Sequence, residues 1–299
     1  MRRLLLVAFV LLARLASPAA ADPLADRIAE ITKGFKGTVV LYAKNLRTGR
    51  EVASNPDDRV RTASTIKLPI LCALQSLVAQ GKVKWDEPLV LKPEDKVSGS
   101  GVLQSLADGT DLTVRNLAIL MIIVSDNTAT NLLIDRIGAD TVNEYLDTIG
   151  LTQTRLNRKI IGGDEPPTGW SNAGMVEENR RFGLGVSTPR EMVTLLEQLH
   201  QGKIVSAAAS KDVVDILKKQ QVTASMGRHA PQDWTVASKS GSLNALRSDV
   251  GIIYSHADPV ALAITVEDMP ETDYSPDNVG EKLIWQLTEL LVEGLSAPL

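Results

Sequence analysis

A chain of 299 residues with 44% hydrophobic and 23% charged residues can bury one large or two small compact cores. Its net charge of −4 and its 4% aromatic content argue against nucleic-acid binding, which needs a basic face and stacking surfaces. One cysteine, Cys72, excludes an internal disulfide, and the scattered His200, His229 and His256 show no metal-ligand spacing, so neither a metal nor another cofactor is expected.

Residues 1–21 have the pattern of an export signal. Arg2 and Arg3 precede the apolar run Leu4 to Leu12, and small residues Ala19, Ala20 and Ala21 stand before Asp22. Cleavage there removes three arginines and no acid, taking the formal charge from −4 to −7. The mature protein is then expected to be secreted or periplasmic, free of the membrane and monomeric.

The first helix is predicted over 24–33, with Leu24, Ile28 and Ile31 on one face. Residues 37–44 read as a strand, Thr48-Gly49 as a turn, and 51–54 as its hairpin partner. A helix follows Ser64 and closes at Gly81. Residues 82–111 are turn-rich. Three helices are predicted at 112–124, 128–137 and 140–149, the first with Thr113 as cap, and Ser125-Asp126-Asn127 falls in the tight loop between the first two. Residues 151–187 show no period and form a long loop. Helices follow at 188–200 and 206–219, strands at 235–238, 249–254 and 260–266, and a closing helix at 279–293.

Strands at both ends with helices between predict an α/β (α+β) fold. An antiparallel sheet is built from the two termini and flanked by helices, with an all-helical domain inserted. Residues 22–60 plus 206–299 form the α/β part, and 61–205 the helical part, including the 151–187 loop.

Chemistry concentrates in three short motifs. Ser64 and Lys67 stand three residues apart at a helix start, so hydroxyl and amine share a face. A serine beside an amine able to lose its proton is an activated nucleophile. Ser125-Asp126-Asn127 and Lys239-Ser240-Gly241 complete the set. A Ser-x-x-Lys arises by chance about once in a chain this long, whereas all three motifs in this order and context do so in well under about one chain in a hundred.

Together the motifs resemble those of the penicillin-recognising serine enzymes, and of the class A β-lactamases in particular, over essentially the whole mature chain. The resemblance implies a β-lactam substrate that acylates Ser64, with the backbone N–H groups of Ser64 and Ser242 as the oxyanion hole. Lys67 takes or relays the serine proton, and Ser125 hands one to the leaving nitrogen. Asn127 binds the substrate's side-chain amide. Lys239 keeps the site positive, Ser240 lines the substrate site, and Arg247 grips the substrate carboxylate. Asp126 caps or ties its loop instead of doing chemistry.

Hydrolysis of the acyl-enzyme in this family depends on a glutamate in the loop, written Glu-Pro-x-Leu-Asn. Glu165-Pro166 gives the first two letters, while Gly169 stands at the asparagine position. Glu178, in Glu178-Asn179, is the alternative. A chain without a working carboxylate is instead expected to behave as a penicillin-binding D-Ala-D-Ala peptidase or a related acyl-hydrolase with slow deacylation. A third possibility is a non-catalytic binding module on the same scaffold.

Overall fold

The computed structural model describes residues 23–163 and 166–296. The expected export signal and Glu165 lie outside the described residues. Among those described, no helix is long and apolar enough to cross a membrane.

A five-stranded antiparallel sheet draws on both ends of the chain. Its strands are β1 (Thr38–Asn45), β2 (Glu51–Ser54), β3 (Thr235–Leu243), β4 (Leu246–Tyr254) and β5 (Pro259–Glu267). Their order is β2-β1-β5-β4-β3. Alternation along the strands divides the sheet into two packing faces. Leu41, Ala43, Ile253, Leu262 and Ile264 pack in one core with α1 (Pro23–Thr32) and α8 (Val279–Ser296). Tyr42, Val250, Ile252, Ala261 and Ala263 face the other way, into the larger core.

That larger core contains α2 (Lys67–Ala79), α3 (Val114–Ile123), α4 (Asn127–Ile137), α5 (Ala139–Thr148), α6 (Pro189–His200) and α7 (Ala207–Leu217). The helix α2 is apolar nearly all round, and Leu68 through Gln75 are buried without interruption, as befits a central helix. Thr113, Asp126, Thr188 and Ser206 cap the helices that follow them through side-chain oxygens.

Three boundaries differ from the sequence expectations. Ser64 lies in a 3₁₀ turn, Ala63–Ile66, and the α-helix begins only at Lys67. The strands expected at 235–238 and 249–254 run on to meet at a tight hairpin, so Lys239 to Ser242 lie within a strand. The 151–187 loop contains structure of its own. Arg155–Leu156 and Gly185–Ser187 pair as short strands, and Asn172–Met175 and Glu177–Arg180 are single helical turns. Each of these pieces is too short to show a period.

Asp126 is the fastener of the interhelical loop. Its buried carboxylate accepts from the backbone of Ala129 (2.8 Å), Val102 (2.6 Å) and Leu103 (2.9 Å), joining the start of α4 to the preceding glycine-rich loop. Asp126→Ala leaves those donors unmet and is expected to cost about 3 kcal/mol or more. Asp126→Asn should recover part of the loss, as measured by urea unfolding.

Candidate active site

The nucleophile candidate sits on a strained approach. Ala63 has φ +46°, a left-handed conformation that side chains resist, and Thr65 closes the turn by donating to the Thr62 carbonyl through both its N–H (3.0 Å) and its hydroxyl (2.8 Å). The end of β3 presses directly on this turn. A Cβ at Gly241 would lie 2.9 Å from the Ser64 nitrogen and 2.8 Å from the Thr62 carbonyl oxygen. Only glycine lets the strand come so near.

Behind Ser64 two lysines converge. Lys67 and Lys239 are both fully buried. Lys67 Nζ lies 2.7 Å from the Ser125 carbonyl, 3.2 Å from Ser125 Oγ and 3.0 Å from Asn127 Oδ1. Lys239 Nζ lies 3.1 Å from the same Ser125 Oγ and 2.6 Å from the Ser240 carbonyl. Ser125 itself has φ +55°. The backbone N–H of Asp126 (to Leu120 O, 3.1 Å) and that of Asn127 (to Ser100 O, 3.0 Å) hold it there.

Burial pushes the Lys67 amine well below the ordinary lysine range, and the like charge of Lys239 pushes further; Asp126 opposes this only in part. Burial also lowers Lys239, to about 7, against the pull of Asp249. An amine in that state has a lone pair able to accept a proton.

Ser64, Asn127, Ser100 and Ser242 open onto a cavity of about 350 Å³. Its far wall comes from the loop: Arg158, Ile160 and Ile161, then Arg181 to Leu184. Among the described residues no carboxylate lines it. Ile160 is clamped over the cavity by Asn131, which donates to its carbonyl (2.8 Å) and accepts from its N–H (2.9 Å). The sequence reading missed this pair. Asn131 stands four residues after Asn127 on the same helix face, which is the only signal it gives.

The structure therefore brings together Ser64, Lys67, Ser125, Asn127, Lys239 and Ser242, with Ser240 beside Lys239. Glu178 is apart from them: it is exposed on the single turn Glu177–Arg180 and does not line the cavity. Arg247, expected to grip the substrate carboxylate, is held by bonds within the fold and does not line the cavity. Its Nε pairs with the largely buried Glu281 at 3.0 Å, and its other nitrogens donate to the carbonyls of Leu243 (2.7 Å), Leu246 (2.6 Å) and Asp273. The register explains why. Lys239 stands opposite Val250, which packs into the helical core, whereas Arg247 stands opposite Val266, which packs under α8. Directly paired residues share a face, so Arg247 leaves the sheet on the other side from Lys239 and on the same side as its direct partner Ser242; its bonds to Glu281 and the three carbonyls hold it in place there.

Comparison with known proteins gives a consistent answer. A family model described as "Beta-lactamase enzyme family" matches residues 23–295. A β-lactamase of Bacillus licheniformis is 26% identical over 276 residues, which is 91% of this chain and 83% of that protein. The carbapenem-hydrolyzing β-lactamase KPC of Klebsiella oxytoca is 25% identical over 295 residues, 95% of this chain and 93% of its own. Among solved structures, a β-lactamase from Sphaerobacter thermophilus superposes with TM-score 0.77 at 32% identity, covering 91% of this chain and 96% of that one. A mutant of PBP-A, solved as an acyl-enzyme complex with penicillin G, also gives TM-score 0.77, at 27% identity over 90% and 95% of the two chains.

The depressed lysines make a prediction about stability. From about pH 7 up to the ordinary lysine range the unfolded chain binds the Lys239 proton and the folded chain does not. Stability therefore rises with pH over that interval. Lys239→Met should flatten the rise, as measured by urea midpoints at pH 7 and pH 9.

Proposed function

The chain belongs to the β-lactamase enzyme family, and from that premise we propose that it opens β-lactam rings through a covalent ester on Ser64 and then hydrolyses the ester. One observation carries the reading: a single hydroxyl, Ser125 Oγ, lies within hydrogen-bond distance of two buried amines of depressed basicity. Such an arrangement can deliver a proton to one atom and recover it from another.

In the first half-reaction Ser64 Oγ attacks the lactam carbonyl while the neutral Lys67 amine takes its proton. The backbone N–H groups of Ser64 and Ser242 receive the oxyanion, donors typically worth a few kcal/mol each in such transition states. The C–N bond breaks and the ring nitrogen takes the Ser125 proton, which Lys67 returns across the 3.2 Å contact. Asn127 holds the acylamido group of the substrate, and Lys239 with Ser240 and Ser242 faces its ring carboxylate. Water then cleaves the ester and releases the acid. The N-terminal pattern of residues 1–21 supports export before any of this takes place.

A second reading, favoured by a specific observation, is a penicillin-binding acyl-hydrolase with a long-lived ester. The loop residues over the cavity are Ile160 and Ile161, and an isoleucine cannot activate water. Glu165 remains the proposed carboxylate of the first reading, with Glu178 less suited because it is exposed away from the cavity.

Ser64→Ala should abolish both ring opening and the covalent mass increment with benzylpenicillin; activity surviving this change would refute the nucleophile. The lifetime of the acyl-enzyme separates the two readings. Rapid return to free mass, lost in Glu165→Ala, is expected of a turnover enzyme. An adduct lasting hours in the unaltered protein and shortened about 100-fold or more by Ile160→Glu is expected of the slow one, since a positioned general base contributes about 10²–10⁴-fold.

A further inference from the structure

Charge around the cavity is unevenly spent. Three arginines line it: Arg61, Arg158 and Arg181. Arg61 is occupied, its Nε 3.2 Å from Glu267 and its guanidinium 3.6 Å from Asp268. Arg158 is different. It is about half buried, its NH1 donates to the carbonyl of Lys159 at 2.8 Å, and its guanidinium lies 5.8 Å from the Trp170 ring. It meets no carboxylate among the described residues. Burial alone disfavours its charged form, so the loop holds a cation whose desolvation no anion among the described residues repays. Arg181 stacks on the neighbouring Phe182 ring at 4.5 Å and makes no ion pair among the described residues within salt-bridge distance. Its nearest acidic influence is on Glu267, which Arg61 already engages.

Arg158 and Arg181 both belong to the loop and line the same cavity as Ser242 and Leu243 of β3. The strand side already supplies Lys239, Ser240 and Ser242 for one substrate anion. A further pair of guanidiniums on the loop side, without a carboxylate partner among the described residues, has no use for that anion. Guanidinium groups bind carboxylates in two-pronged fashion and are less strongly hydrated than ammonium groups, which suits a half-buried wall.

We propose that Arg158 and Arg181 form a receptor for a second carboxylate, carried on the acylamido side chain of the substrate. The favoured substrate is then a dianionic acyl compound, with one carboxylate at the ring and another on the far side of the scissile bond. This rests on acylation of Ser64 by a β-lactam, as proposed above, and adds the class of side chain that the cavity prefers.

The test compares two penicillins that differ by one group, benzylpenicillin and its α-carboxy derivative. Second-order acylation rate constants are measured by intact-protein mass spectrometry or stopped flow at low ionic strength. The unaltered protein should acylate about tenfold faster with the α-carboxy compound, about the value of one charge-assisted pair. Raising the salt should shrink the ratio. Arg158→Ala and the surface change Arg181→Ala should each bring the ratio towards one, and Arg158→Lys should keep more of it than Arg158→Ala. A ratio of one or below in the unaltered protein overturns the proposal. So does an unchanged ratio in variants that slow both compounds equally, which would make the arginines loop supports only. Acylation by neither compound would instead remove the Ser64 reading itself, and this inference with it.

Discussion

Two ammonium groups cannot comfortably share one hydroxyl. Lys67 and Lys239 each lie about 3 Å from Ser125 Oγ, so their nitrogens are at most about 6 Å apart. At an effective dielectric near 20, two unit charges at that separation repel by about 3 kcal/mol. That is about two pKa units, before burial of either amine is considered. The site therefore favours one proton fewer than two exposed lysines would carry, which leaves an uncharged amine at Ser125. Every other feature of the site keeps these three groups from drifting apart.

The restraints come from the backbone. Ser125 is held at a positive φ between α3 and α4 by flanking N–H groups, and the Asp126 side chain ties the same loop to residues 102 and 103. Gly241 lets β3 lie against the 3₁₀ turn that carries Ser64, so the strand bearing Lys239 from the C-terminal half meets the turn bearing Ser64 from the N-terminal half. A larger residue at 241 would separate the halves without touching a reacting atom.

Ser64 with Lys67, and the polar triplet between two helices, were legible because their chemistry is local: three residues on one turn, and three in one tight loop. The sheet built from both ends was legible from its alternating strands. Arg247 was not, because its fate turns on the parity of a hairpin. With Leu243 paired to Leu246, the residue sharing a face with Lys239 is Val250, and the inward-facing neighbour in the Arg247-Ser248 pair is Ser248. A shift of one residue decides whether Arg247 faces the side of Lys239 or the side where it meets Glu281. The clamp of Asn131 on Ile160 was invisible for another reason. It joins a helix to a loop 29 residues on, and neither partner announces it. The loop glutamates were sought by motif, whereas the residues lining the cavity from that loop are set by such long-range ties.

The place of β1 inside the sheet has a temporal side. It pairs with β2 a few residues later, but its other neighbour is β5, more than two hundred residues downstream. Until Pro259–Glu267 emerges from the ribosome, β1 presents an open edge, and the apolar faces that α1 and α8 cover together are only half clothed. Pairings so distant in sequence are slow to close, and the hydroxyl of Ser64 is made early while the Lys239 amine that completes its surroundings is made late. The assembled cluster around Ser125 thus cannot precede synthesis of the strand that carries Lys239.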